Sequence, residues 1–257
     1  MGILNVTPDS FSDGGEFINP TAAIQQVKKM LADGADIIDI GGESTRPGAK
    51  DVSVEDELNR VIPVIKAIRE FSGCLISVDT SKAVVMREAV LAGANIINDV
   101  RALQEEHALV TAADLNVPVC LMHMQGQPRS MQTKPIYSDV VSEVKQFLQQ
   151  RIQACLDAGI KKENIIIDPG FGFGKSLQHN LDLFNALNEF VDMNYPVLVG
   201  VSRKTMIGQM LNDAPVDKRV HASVAMAALA VQKGVQIVRV HDVKETADSI
   251  VVVNSLK

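Results

Sequence analysis

Residues 33–42 read Asp33-Gly34-Ala35-Asp36-Ile37-Ile38-Asp39-Ile40-Gly41-Gly42. A glycine stops a helix, a short loop returns the chain, and an isoleucine-rich run follows. Upstream, Thr21–Ala32 places Ala22, Ala23, Ile24, Val27, Met30 and Leu31 on one helical stripe. The same helix, glycine and strand junction recurs at Gly93-Ala94-Asn95 and at Lys233-Gly234-Val235. Strands alternating with helices in this way build a parallel α/β sheet.

Outward from that junction, eight short apolar runs span the chain. They are Met1–Asn5, Asp36–Gly42, Leu75–Thr80, Ile96–Val100, Pro118–Met124, Asn164–Gly170, Pro196–Arg203 and Ile237–Val243. None alternates cleanly, as expected of parallel strands covered on both faces. Between them lie helical patterns. Ser53 caps a stretch running through Val61, Ile65 and Ile68, with Pro63 inside it as a place for a kink. The others are Lys82–Leu91, Glu105–Leu115, Asp139–Leu156, Leu177–Phe190 and Lys218–Gln232. Eight such units in 257 residues predict a (β/α)8 TIM barrel, a single domain over residues 1–257. The alternative is an open doubly wound sheet, which has fewer strands and a phosphate loop after the first.

Composition removes several function classes. Lys plus Arg is 25 against 31 for Asp plus Glu, a net charge of −6, which disfavours nucleic acid as a partner. Trp is absent and only 2 Tyr are present, too few for a base-stacking platform. No apolar run approaches the ~20 residues that span a bilayer. Cys74, Cys120 and Cys155 are widely spaced, form no CxxC, and read as buried thiols of a reducing compartment. The opening residues carry no basic region and meet Pro8 and Asp9 at once, so no secretory signal is read and the cytoplasm is expected.

In a barrel the active site lies where the strands end. Here the strands end in Asn5, Asp39 to Glu43, Asp79, Asn98-Asp99, His123, Asp168, Ser202-Arg203-Lys204 and Arg239-Val240-His241-Asp242. Contact with water explains some polar strand ends, but not carboxylates and amides on strands three, four and six facing cations on seven and eight. Asp79, Asn98, Asp168 and Lys204 suit a flat heterocycle with a guanidine-like edge: a carboxylate accepts two N–H bonds from it, and an amide and an ammonium read the other edge. Arg46, Arg203, Arg239 and His241, with Asn5 nearby, suit phosphate oxygens and a divalent cation.

Two lookalikes fail. Gly170-Phe171-Gly172-Phe173-Gly174-Lys175-Ser176 places its lysine one residue early for a P-loop and follows the sixth strand. The 5 histidines are scattered without HExxH, and no GxSxG is present, so neither a zinc site nor a serine triad is expected. The polar loops Val6–Gly15 and Glu43–Gly48 are candidate lids at the barrel mouth.

Four stretches resemble the dihydropteroate synthase family. They are Met1 to Gly15, Asp39-Ile40-Gly41-Gly42-Glu43-Ser44-Thr45-Arg46-Pro47-Gly48, Asp168-Pro169-Gly170-Phe171-Gly172-Phe173-Gly174-Lys175 and Ser202-Arg203-Lys204. Ser77-Val78-Asp79-Thr80, Ile97-Asn98-Asp99, Leu121-Met122-His123-Met124 and Arg239-Val240-His241-Asp242 match as well, in order along the chain. The resemblance implies a transferase of folate synthesis. It joins 6-hydroxymethyl-7,8-dihydropterin diphosphate to 4-aminobenzoate, with Mg2+, giving 7,8-dihydropteroate and diphosphate. It implies that Asp79, Asn98, Asp168 and Lys204 hold the pterin and that Met122 and Phe173 line its ring. It gives Mg2+ to Asn5, and the diphosphate to Asn5, Arg46, Arg239 and His241. It frames 4-aminobenzoate with Phe11, Thr45, Pro47, Ser202 and Lys204, and places Asp13 in the first loop among the catalytic residues Asp168, Lys204, Arg239 and His241. It also implies a homodimer and inhibition by sulfonamides, which mimic 4-aminobenzoate. Family members normally carry residues ahead of the stretch that opens this chain. The rival readings are a pterin-binding methyltransferase, which would not need the diphosphate group, and a non-catalytic pterin-binding paralogue.

Overall fold

The computed structural model describes residues 1–7, 20–44, 51–126, 131 and 135–256. The strands are β1 Gly2–Asn5, β2 Ile37–Gly41, β3 Leu75–Asp79, β4 Ile96–Asp99, β5 Val119–Met122, β6 Ile165–Asp168, β7 Leu198–Val199 and β8 Ile237–Val238. β1 to β6 form one parallel sheet in chain order, and β7 pairs β8 in parallel. Two further parallel bridges, Ile167 with Val197 and Gly2 with Val240, join these sheets at both edges. The sheet therefore closes on itself as the expected (β/α)8 barrel.

Strand alternation divides the apolar residues between two cores. Outward-facing Leu4, Ile38, Ile40, Ile76, Val78, Ile97, Leu121, Ile165, Ile167 and Val199 belong to the large core beneath the helices. Inward-facing Ile96, Cys120, Ile166 and Leu198 form a separate cluster inside the barrel, flanked by Met1, Ile37 and Ile237. Further along six of the strands, the same inward face carries Asp39, Asp79, Asn98, Met122, Asp168 and Arg239. The barrel thus has a dry floor and a polar layer above it.

The helices close the outer ring. They are α1 Pro20–Ala32, α2 Val54–Arg69, α3 Ala83–Ala92, α4 Ala108–Leu115, α5 Val140–Asp157, α6 Leu177–Asn185, α7 Leu187–Val191, α8 Thr205–Met210, α9 Val220–Gln232 and α10 Val243–Ser255. Ser53 accepts from the Asp56 backbone N–H, as its N-cap position requires. Asp139 caps α5 in the same way. Gly93 ends α3 at φ +119°, a left-handed backbone that favours glycine. The pattern over Leu177–Phe190 resolves into α6 and α7, separated at Ala186. Helices α8 and α10 lack a clear apolar pattern in the sequence. α8 is only 6 residues long. α10 leaves Val251 and Val252 exposed, which blurs its apolar stripe. Among the described residues, no helix is long and apolar enough to cross a membrane.

Candidate active site

The polar layer begins with strand register. Asn5 lies beside Gly41, Gly41 beside Asp79, and Asp79 beside Asn98. Three residues expected in the site thus share one row across four strands. Met122 lies beside Asp168 on the next pair.

Side chains then tie this row together. Arg239 donates from Nε to Asp39 Oδ2 at 2.6 Å and from Nη2 to Asp79 Oδ2 at 2.8 Å. Asn98 Nδ2 donates to Asp39 Oδ2 at 3.3 Å. Across the barrel, Asp168 Oδ1 accepts from the Gly170 backbone N–H at 2.7 Å. Lys204 Nζ donates to the Phe171 carbonyl at 2.6 Å and stands 4.5 Å from the centre of the Phe173 ring. Gly200 sits between the two cations: a Cβ there would lie 3.9 Å from Lys204 Nζ and 4.0 Å from Arg239 Cδ.

Burial sets the charges. It pushes the Asp79 carboxyl up to about 7, with Arg239 pulling against it and Asp39 and Asp99 adding to it. Burial also raises Asp168, opposed chiefly by Lys204. Burial lowers Lys204 to about 8, opposed by Asp168. For Arg239 burial works against the charge, but Asp39 and Asp79 outweigh it and hold the group above its ordinary range. Two carboxylates easily protonated and one ammonium easily deprotonated are poised to exchange N–H bonds with a polar heterocycle.

Ser202 and His241 form a second group. The Ser202 hydroxyl lies 3.0 Å from His241 Nδ1 and accepts from the His241 backbone N–H at 3.1 Å. Arg203 does not join Arg239. It is held at φ +58° and its guanidinium is paired with Asp242. Phe11, Asp13, Thr45, Arg46 and Pro47 lie outside the described residues.

The chain matches the pterin binding enzyme family over residues 1–241. It is 61% identical over 250 residues to the dihydropteroate synthase of Haemophilus influenzae, covering 97% of this chain and 90% of that one. The chain belongs to the dihydropteroate synthases. Its fold is similar to that of the Yersinia pestis dihydropteroate synthase in complex with a sulfonamide drug. That likeness has a TM-score of 0.95 and 53% identity, and covers 99% of this chain and 92% of that one. It is also similar to the Xanthomonas albilineans dihydropteroate synthase in complex with 7,8-dihydropteroate. There the TM-score is 0.90 at 47% identity, covering 99% and 92%. The chain is therefore a transferase that forms 7,8-dihydropteroate from the pterin diphosphate and 4-aminobenzoate. This membership sets aside the methyltransferase and the non-catalytic paralogue.

Two members of the site carry no role in the sequence reading. Asp39 is fully buried beneath Arg239 and Asn98 and accepts from both. The sequence places Asp39 where the second strand turns polar and assigns it no role; the strand runs on to Gly41. Lys175 is buried behind the loop after β6. In the sequence Lys175 closes a family-like stretch and fails as a phosphate-loop lysine, and neither feature assigns it a role.

Proposed function

We propose that the barrel's polar layer is the pterin site and that its cationic rim expels diphosphate. The supporting observation is the network in which Asp39 and Asp79 flank Arg239 while Lys204 stands near Asp168. Asp168 accepts the guanidine-like edge of the pterin, Asn98 and Asp79 read the edge opposite, and Lys204 donates to the remaining acceptor. Each charge-assisted bond contributes roughly 1.5–3 kcal/mol. Met122 and Phe173 line the ring faces. Ser202 and Lys204, with Phe11, Thr45 and Pro47, frame 4-aminobenzoate, and sulfonamides compete for that place.

The reaction runs in two steps. The bond from the pterin methylene carbon to the diphosphate oxygen breaks, and the electron pair leaves with diphosphate. Arg239 and His241, with Arg46 and Asn5, stabilise the departing charge. The resulting methylene cation is delocalised over the pterin and kept close to the Asp168 carboxylate. The aniline nitrogen of 4-aminobenzoate then bonds to that carbon and loses a proton. Water must be kept from the site at this stage, because it would otherwise capture the cation.

A magnesium ion fits the donor set. Asn5 offers a hard amide oxygen at the end of β1, half-buried and in the row of Asp79 and Asn98. Mg2+ commonly takes one or two protein oxygens and completes its shell with phosphates and water. Bound there, it would neutralise charge on the leaving diphosphate.

The final helices supply a dimer surface. Leu229 of α9 and Val251 and Val252 of α10 are exposed, and the two helices pack together. The protein works in the cytoplasm as a homodimer.

Diphosphate release with Mg2+, measured with and without 4-aminobenzoate, tests the reading. Release matched one to one by dihydropteroate supports it. Tight pterin binding with no release under either condition would remove Arg239 and His241 from the diphosphate role.

A further inference from the structure

The loop Gly170-Phe171-Gly172-Phe173-Gly174-Lys175 fails as a phosphate loop, and its lysine is bonded within the protein. Lys175 is 3% exposed. Its Nζ donates to the Gly170 carbonyl at 2.8 Å and to the Phe173 carbonyl at 3.0 Å, and lies 2.9 Å from His123 Nδ1. The His123 carbonyl is a weaker fourth neighbour at 3.4 Å. Burial works against the Lys175 charge and Asp168 favours it, and the three close acceptors match the three N–H groups of the ammonium form. Nδ1 accepts only if the imidazole is neutral, and the burial of His123 favours that form.

These acceptors come from two places in the chain. Gly170 and Phe173 belong to the loop itself, whereas His123 follows β5. Lys175 therefore folds the loop around its own side chain and pins it to the neighbouring strand. Tyr137 adds a second tie, donating to the Gly174 carbonyl at 2.9 Å. The approach is too close for any side chain at Gly170: a Cβ there would lie 1.8 Å from the His123 carbonyl oxygen, at φ +71°.

What this loop presents on its other side is the pterin site. The Phe171 carbonyl receives Lys204, the Phe173 ring faces the same ammonium, and the Gly170 N–H donates to Asp168. We infer that Lys175, seated on His123, is a positioning residue for pterin binding, acting through the 170–175 loop on Lys204 and Asp168. It touches no substrate. The inference rests on the proposed role of Lys204 and Asp168 in holding the pterin.

Calorimetric titration with 7,8-dihydropteroate tests it, alongside the KM for pterin diphosphate and thermal unfolding. Lys175→Met keeps the side-chain volume and removes the donors; it should weaken product binding tenfold or more and raise that KM by a similar factor. His123→Leu removes the acceptor and should behave alike. His123→Asn keeps an acceptor near the Nδ1 position and should bind within twofold of wild type. This histidine pair decides the question if Lys175→Met does not fold. A lowered melting temperature with wild-type affinity in Lys175→Met and His123→Leu would overturn the inference, because it would mark a purely structural lysine. Asp168→Asn serves as the control. Wild-type affinity in that variant would instead overturn the pterin reading itself.

Discussion

Arg239 and Asp39 form an ion pair inside the barrel, Nε to Oδ2 at 2.6 Å, although they stand 200 residues apart in sequence. The pair fixes the guanidinium from beneath. Asp39 also accepts from Asn98, so one carboxylate orients a cation assigned to the diphosphate and an amide assigned to the pterin.

Replacing Asp39 should therefore damage catalysis without removing any group that touches substrate. Asp39→Asn keeps the shape and loses the charge-assisted bond. A loss of about 1.5–3 kcal/mol corresponds to roughly 10- to 150-fold in kcat/KM for the pterin diphosphate. Steady-state kinetics within twofold of wild type would sink the idea.

The pH profile should be a narrow bell. On the proposed reading Asp79 offers the pterin both oxygens as acceptors only as the carboxylate, and burial raises its pKa to about 7. Lys204 donates charge-assisted bonds only as the ammonium, and burial lowers its pKa to about 8. The kcat/KM for pterin diphosphate should fall as pH drops below the first value and as it rises above the second. A profile flat through both would contradict these assignments.

Asp79 should also cost the unliganded protein stability. Its folded pKa of about 7 lies above its ordinary 3.8, so the folded state binds the proton more tightly. The stability this gives is fully present below pH 3.8 and is lost as pH rises through about 7. Asp79→Asn mimics the protonated acid. Its melting temperature should exceed that of wild type above neutral pH, and the gap should close in acid, while pterin binding is lost. Equal melting temperatures at alkaline pH would refute the cost.

Lys82 joins Glu43, after β2, to the fully buried Glu57 of α2. Glu57 Oε1 has no hydrogen-bond partner among the described residues, so this carboxylate depends on Lys82. Lys82→Met strands a buried charge, which typically costs 3–5 kcal/mol; about 3 kcal/mol is expected here because Lys82 is partly exposed. Denaturant unfolding checks the value, and a change under about 1 kcal/mol would argue against the tie.

Much of this architecture is written locally. Glycine stops and apolar runs locate the strands, because a parallel sheet needs buried runs and short returns. Asn98 and Asp168 stand out because a polar residue ends an otherwise apolar run. Lys175 and Asp39 were not legible in the same way. The acceptors of Lys175 come from residues 123, 170 and 173, two of them backbone carbonyls, which have no side-chain signature. Asp39 acquires its role only when ring closure brings Arg239 over it. Arg203 shows the converse. Its charge and its place beside Lys204 suggest the cationic rim, but the left-handed backbone at that residue accompanies a pairing with Asp242.

The most direct test of the central claim is the affinity of 7,8-dihydropteroate for wild type and for Asp168→Asn, measured by calorimetry on folded protein. In the proposed function Asp168 accepts two N–H bonds from the pterin, and the amide can accept only on one oxygen. The account predicts a loss of about 100-fold, some 2.7 kcal/mol. Equal affinity in the two proteins would contradict it and move the pterin away from the barrel's polar layer.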